Sequence, residues 1–245
     1  MKLARLSFPS VHSRLLKAYG PQGWWPLPSM SGKRGFDSRG YHPGNYRWPR
    51  TGRDRFEIIL GSILTQNTAW TNVEMTLRKL SAAGFELPED FLRTSCSRLA
   101  RSIRSSGYFN QKAKKLKIVA KVFSRPGALE QRSAPSREQL LELWGIGRET
   151  ADSILLYAFA RAVFVVDAYT RRIFTRLGAF DGSESYDEIQ EAFHRGLPRS
   201  TELFNELHAL IVEHAKRHCR SKPDCSDCPL SRSCRYFLSS SRQSP

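Results

Sequence analysis

Leu141 to Leu155 reads as two helices joined by a tight Gly145-Ile146-Gly147 turn, followed by a short apolar run ending at Val166-Asp167. This stretch constrains the fold more than any other. Glycines at 145 and 147 let the backbone turn sharply and come close to another molecule. The amides of the turn and of the helix opening at Arg148 then form a ready anion site. An ordinary helical hairpin accounts for the same residues, with Asp167 as the N-cap of a helix starting at Ala168. The two readings are compatible, and Asp167 remains the best-placed acid for chemistry.

Charge decides which anion is expected. Thirty-nine Lys and Arg residues against 23 Asp and Glu give +16, which draws polyanions and makes binding salt-dependent. No apolar run approaches the ~20 residues needed to span a bilayer, and no basic segment with a wide apolar face suggests a membrane surface. Nucleic acid is therefore the favoured partner. The first 36 residues lack Asp and Glu, as a transit peptide would, but Trp24-Trp25-Pro26 interrupts them. They read as part of the DNA-facing protein. With no secretory signal, a reducing intracellular compartment is expected: cytoplasm or nucleoid, or the nucleus in a eukaryote.

Hydrophobic periodicity gives an all-α class. Helices are expected over 7–19, from about Asp54 through Leu64, over 71–82, from Pro88, over 98–104, to about Phe123, and near 148–160, 168–177, 185–195 and 200–217. Ser136 with Gln139 forms a capping box ahead of the first hairpin helix. Only Val163 to Val166 reads as extended. Gly20 to Arg53 is a long Gly-, Pro- and aromatic-rich loop, either functional or partly mobile. Ser239 to Pro245 reads as a disordered tail.

Four cysteines follow as Cys219-x5-Cys225-x2-Cys228-x5-Cys234. Disulfides do not suit a reducing compartment, so a metal centre is expected. One compact run of four thiolates suits a [4Fe–4S] cluster first, zinc second and free thiols last. Cys96 stands apart and reads as a core residue. On the helix after Gly107, Lys112, Lys114, Lys115 and Lys117 read as a solvated face, with Lys112 the candidate for a phosphate. His208, His214 and His218 read as core or surface residues, and Glu57 and Glu213 as ion-pair partners.

Taken together, the hairpin, Asp167 and the cysteine run resemble the endonuclease III superfamily of base-excision DNA glycosylases, from about Leu15 to Cys234. The resemblance implies two helical lobes with DNA in the cleft between them. One would be a six-helix barrel-like domain over 54–161, with the hairpin at about 137–160. The other would be a discontinuous lobe of 1–53 and 162–238, carrying the cluster loop 219–234. It also implies a monomer in which Gly145, Gly147, Arg148, Arg220 and Lys222 meet the DNA backbone. Gln66, in Leu64-Thr-Gln-Asn-Thr68, would enter the space left by a flipped nucleotide, although a plain helix C-terminus explains it too.

Within that superfamily, Trp24-Trp25-Pro26, Trp70 and Gly107-Tyr-Phe-Asn-Gln-Lys-Ala113 look like the 3-methyladenine glycosylases of the endonuclease III type. Trp24, Trp25, Pro26 and Trp70 would then form the base pocket. A cationic alkylated purine suits such aromatics, and adjacent indoles can form a slot that stacks a base. Bifunctional members carry a lysine nucleophile where this chain has Glu149, so base release without strand cleavage is expected, with Asp167 stabilising an oxocarbenium-like state. The alternatives are an endonuclease III-like glycosylase for oxidised or mismatched pyrimidines, with lyase activity through another lysine such as Lys112, and a non-catalytic lesion-binding protein.

Overall fold

The computed structural model describes residues 7–240, and among these every regular element is helical. In chain order they are α1 (Phe8–Tyr19), α2 (Gly52–Leu64), α3 (Trp70–Ala82), α4 (Pro88–Arg93), α5 (Cys96–Ser102), α6 (Phe109–Phe123), α7 (Arg137–Leu141), α8 (Arg148–Ser153), α9 (Ala168–Leu177), α10 (Tyr186–Gly196), α11 (Thr201–Arg217) and α12 (Arg235–Ser240). No helix among them is long and apolar enough to cross a membrane. The chain divides into two compact units, Gly23–Arg161 and a discontinuous one joining the segment that ends at Gln22 to the segment that begins at Ala162.

The Gly23–Arg161 unit is built around α2. Thr51 and Asp54 close a capping box at its start, and Phe56, Ile58, Ile59, Leu60, Ile63 and Leu64 are all buried. Each such side chain contributes about 1.5–3 kcal/mol by leaving water. A helix apolar on every side must be surrounded, and α3, α6 and the end of the α8 segment pack against it. That segment continues from α8 as one π-helical stretch, Ile154–Ala158, where a plain helix to about residue 160 is expected from the sequence. Periodicity alone cannot reveal one extra residue in a turn.

Residues 23–53 belong to this unit, not to the discontinuous lobe in which the sequence places them. Leu27 donates to the Gly40 carbonyl at 2.9 Å, and His42 Nε2 lies 3.1 Å from the Trp25 carbonyl. Ser29 donates through its amide and hydroxyl to Glu57 of α2, and Arg39 pairs with Glu74 of α3 at 2.8 Å. Gly40 sits at φ +87, with no room for a Cβ against the Leu27 backbone. The loop is thus a folded cover whose polar groups are met locally.

In the discontinuous unit, α1 packs on α11, and α9 packs on α11 and α12. Phe8, Phe164, Phe174, Phe180, Phe193 and Phe204 interlock, with Phe164 and Phe193 stacked at 3.9 Å. Gly196 has no space for a Cβ beneath the Phe8 ring. The Val163–Val166 run is extended but pairs with no strand. Side chains one turn apart on α10 satisfy its backbone instead. The Phe164 amide donates to His194 Nε2 at 3.0 Å, Gln190 donates to the Phe164 carbonyl at 2.6 Å, and the Val166 amide donates to the Tyr186 hydroxyl at 3.3 Å. Ser239 and Ser240, expected to open a disordered tail, end α12; residues 241–245 lie outside the described residues.

Candidate active site and DNA-binding elements

Asp167 closes the segment that α10 holds and caps α9. Its Oδ1 accepts from the Thr170 amide at 2.7 Å and the Thr170 hydroxyl at 2.8 Å. Oδ2 lies 3.6 Å from Nε2 of His208 on α11, an ion-pair distance, and 12% of the Asp167 side chain remains exposed. Burial pushes the carboxyl up. His208, by contact and by charge, and the two Thr170 donors more than offset this, leaving it below its ordinary value. The group is therefore a carboxylate with one oxygen committed to the helix cap. His208, read from sequence as an unremarkable core or surface residue, is the partner that reading missed; no spacing rule links positions 167 and 208.

The hairpin turn lies between α7 and α8. Gly145 is left-handed at φ +82, and a Cβ there would overlap the Lys115 stem. Gly147 differs from the expectation: its φ of −93 is open to any residue, and the space beside it is empty. A small residue at 147 leaves room for an approaching molecule without any backbone need for glycine. Ile146 is buried, whereas Gly145, Gly147, Arg148 and Glu149 are exposed. No side chain caps the first turn of α8. Arg137 grips Asp152 with two bonds, 2.7 and 3.0 Å, tying the hairpin helices together.

Gln66 sits just beyond α2, half-buried, between the hairpin and α6. Its Nε2 donates to the Gly145 carbonyl at 3.1 Å and to Thr150 Oγ1 at 2.9 Å, and its Oε1 accepts from Lys115. Asn67, next in the chain, is left-handed at φ 52.

Lys112 is a correction. Only 2% of it is exposed, and its ammonium donates at 2.7 Å to each of the Leu64 carbonyl, Thr68 Oγ1 and the Ser106 carbonyl. It closes the C-terminus of α2, where unpaired carbonyls favour a cation, and is not placed to meet a phosphate. Burial and the Lys115 charge push it down to about 8. Lys117 likewise donates to the Phe91, Leu92 and Thr94 carbonyls at the end of α4. Of the four lysines expected on a solvated face, only Lys114 is exposed.

Trp24, Trp25, Trp70 and Tyr157 form one aromatic group. Trp25 lies edge-on to Trp24 (5.7 Å, 73°) and to Trp70 (5.4 Å, 86°), and tilts against Tyr157 at 5.0 Å. These contacts are edge-to-face or tilted, geometries that suit the ring quadrupoles. Pro26 and Trp25 are buried, and Gly61 gives the Trp25 indole its space on α2. The Nε1–H groups of Trp25 and Trp70 are buried without hydrogen-bond partners. Tyr157, which the π turn places here, was not foreseen from the sequence. Glu57 is no ion-pair partner but the acceptor for Ser29, and burial holds its carboxyl above the ordinary value.

All four clustered cysteines line one cavity, with Ile173, Arg176, His214 and Leu230. Among the described residues no three Cys, His, Asp or Glu side chains converge on a point that could hold a single ion. Four cysteine side chains around one cavity are a donor set that fits a thiolate-bound metal centre. Burial first, then the Cys225, Cys234 and Cys219 charges, push Cys228 up to about 11, partly opposed by a backbone bond from Leu230. Burial likewise raises Cys225 and Cys234, and a positive centre would favour their ionised forms. Arg176 donates to Cys219 Sγ at 3.3 Å and to the Arg220 and Ser221 carbonyls, and Arg172 donates to the Cys219 carbonyl. The Arg220 and Lys222 side chains stay exposed on this braced loop. Cys96 is half-buried at the start of α5, not in the core.

Residues 60–199 match the family described as HhH-GPD superfamily base excision DNA repair protein. The chain belongs to that family. It is 38% identical over 231 residues to a putative DNA repair glycosylase of Methanocaldococcus jannaschii, covering 91% of this chain and 94% of the relative. Its fold is that of endonuclease III, with a TM-score of 0.74 to a trapped endonuclease III–DNA covalent intermediate at 19% identity, over 96% and 97% of the two chains. A 3-methyladenine DNA glycosylase of H. pylori bound to 1,N6-ethenoadenine superposes with a TM-score of 0.65 at 29% identity, covering 85% of this chain and 96% of that one. The protein is a DNA glycosylase of the endonuclease III superfamily, hydrolysing N-glycosyl bonds in DNA.

Proposed function

We propose that this glycosylase releases alkylated purines from duplex DNA and leaves the abasic strand intact. The observation that carries the second half is what stands at the two positions considered for the nucleophile, 149 and 112. Position 149 offers a carboxylate, and the Lys112 ammonium is buried and donated to three oxygens. A Schiff base needs a free amine at the sugar, and neither residue supplies one. Asp167 Oδ2 stabilises the positive charge that develops at C1′ as the C1′–N bond breaks. Water then adds to C1′ and passes its proton to solvent by way of the carboxylate. A purine alkylated at N3 or N7 already carries positive charge, so it departs as a neutral base and needs no acid.

The substrate class rests on the Trp24, Trp25, Trp70 and Tyr157 group, whose ring faces attract a cationic base and whose two unpaired indole N–H groups call for an acceptor. The similarity to the H. pylori enzyme supports the same choice. Gln66 acts as the wedge, and Gly145, Gly147, Arg148, Arg220 and Lys222 meet phosphates. Duplexes carrying 3-methyladenine, ethenoadenine, hypoxanthine, uracil or thymine opposite guanine, assayed with and without hot alkali, test this. Alkylated purines are expected to be released, with strand breaks only after alkali. Borohydride should trap no adduct; a covalent protein–DNA band would overturn the reading.

Cys219, Cys225, Cys228 and Cys234 would hold a [4Fe–4S] cluster, which when bound staples the loop 219–234 to α9, α11 and α12. Iron and acid-labile sulfide are expected in equal amount in anaerobically purified protein. Removing the iron with a chelator should lower the Tm and weaken DNA binding through the Arg220–Lys222 loop. Stoichiometric zinc with no sulfide would refute the cluster.

A further inference from the structure

Gln66 is held on both ends of its amide. A free wedge would wave in solvent, yet here Oε1 accepts from Lys115 while Nε2 reaches the Gly145 carbonyl and Thr150 Oγ1. An ammonium has only donors and a carbonyl only acceptors, so these partners fix which way the amide faces. Lys115 also joins the two parts physically, because its aliphatic stem occupies the space over the Cα of Gly145. The turn that meets DNA and the residue that enters it are thereby linked through one lysine. Lys115 is half-buried, and burial weakens its hold on the proton. Its one described acceptor, Gln66 Oε1, is a neutral amide oxygen.

We propose that Lys115 is a latch: in the free protein it holds Gln66 against the hairpin, and on DNA it passes to a phosphate at the turn and releases Gln66. A phosphate oxygen is a stronger acceptor for an ammonium than an amide oxygen is. Arrival of the backbone beside Gly145 and Gly147 therefore draws Lys115 away. Gln66 loses its charged partner at the moment the duplex is in place, so wedge entry follows grip instead of competing with it. Lys115 is a positioning residue in this scheme, acting through Gln66 and touching no reacting atom. The inference rests on the wedge reading of Gln66, but its test does not use base release.

Lys115→Met keeps the stem over Gly145 and removes the ammonium; Lys115→Arg keeps the charge; Thr150→Val removes one acceptor at nearly constant shape. In DNA-free protein, the Gln66 side-chain amide signals in a 15N-correlated NMR spectrum, assigned by their loss in Gln66→Ala, should shift in Lys115→Met and in Thr150→Val. Lys115→Arg should leave them near the wild-type positions. In binding to an abasic-site duplex, the slope of log K against log salt should fall by about one in Lys115→Met and be unchanged in Thr150→Val. Unmoved Gln66 signals in Lys115→Met would overturn the latch. An unmoved salt slope would overturn the transfer to phosphate. Should the wedge reading itself be wrong, Gln66→Ala would release base as wild type does, whatever these signals show.

Discussion

Asp167→Asn is expected to slow single-turnover base release by roughly a thousandfold, the scale seen when one preorganised electrostatic group is lost from a transition state. The substitution isolates chemistry from folding. Asn is as good an N-cap as Asp, so its side-chain oxygen can keep the Thr170 bonds and the Tm should fall only by what the charge facing His208 contributes. What disappears is the negative charge of the second oxygen, the one facing His208. Rates with saturating enzyme on a 3-methyladenine duplex, read beside a thermal melt, check both halves. Undiminished base release with an unchanged melt would remove Asp167 from the mechanism.

His208 supplies the pH dependence of the same group. The Asp167 carboxyl lies below its ordinary value in the folded protein, so it is fully ionised through the ordinary carboxylate range and protonates only further down. The stability it contributes is present above the ordinary value of the unfolded chain and is lost as pH falls through the lower folded value. The acid limb of base release should therefore fall below the usual carboxylate range. His208→Asn leaves burial less opposed and should move that limb upward. An unmoved limb would show that Thr170 alone holds the carboxylate.

Arg137→Ala should destabilise the hairpin by about 1.5–3 kcal/mol in chemical denaturation, because it removes a charge-assisted, two-bond contact to a buried carboxylate. Asp152 is 0% exposed, whereas Arg137 keeps 23% of its side chain in contact with solvent. Asp152→Ala should cost less, since the arginine left behind can turn outward. Replacing both by leucine should recover most of the loss, as apolar pairs of similar volume substitute well for buried ion pairs. A loss in the double variant as large as the sum of the two single losses would mean that the pair contributes nothing beyond its separate parts.

The sequence spoke clearly where one local rule governs. Ser136 and Gln139 announce the start of α7 and are found as a capping box, and the apolar spacing from Phe56 to Leu64 marks α2, whose partners must surround it. Residues whose roles depend on distant neighbours were harder to read. Lys112 looks like any surface lysine until Leu64, Thr68 and Ser106 are seen converging on its ammonium. His208 is 41 positions from Asp167 by the numbering, and nothing in either neighbourhood foretells the pairing. Val163–Val166 has the composition of a strand but no strand to join, so α10 side chains take the place of a sheet edge.

The π turn at Ile154–Ala158 carries a consequence for how such a protein can change over generations. A π turn holds one residue more than the α turn it replaces, so it amounts to a tolerated single-residue insertion within a helix. Deleting one residue of that turn would let the helix revert to regular winding with the turns on either side still in phase. Tyr157 lies inside the turn, so the change would fall on its place against Trp24 and Trp25, while the hairpin before it kept its own shape. Descendants of this chain could thus exchange one wall of the aromatic group by losing a codon, without rebuilding the turn that grips DNA.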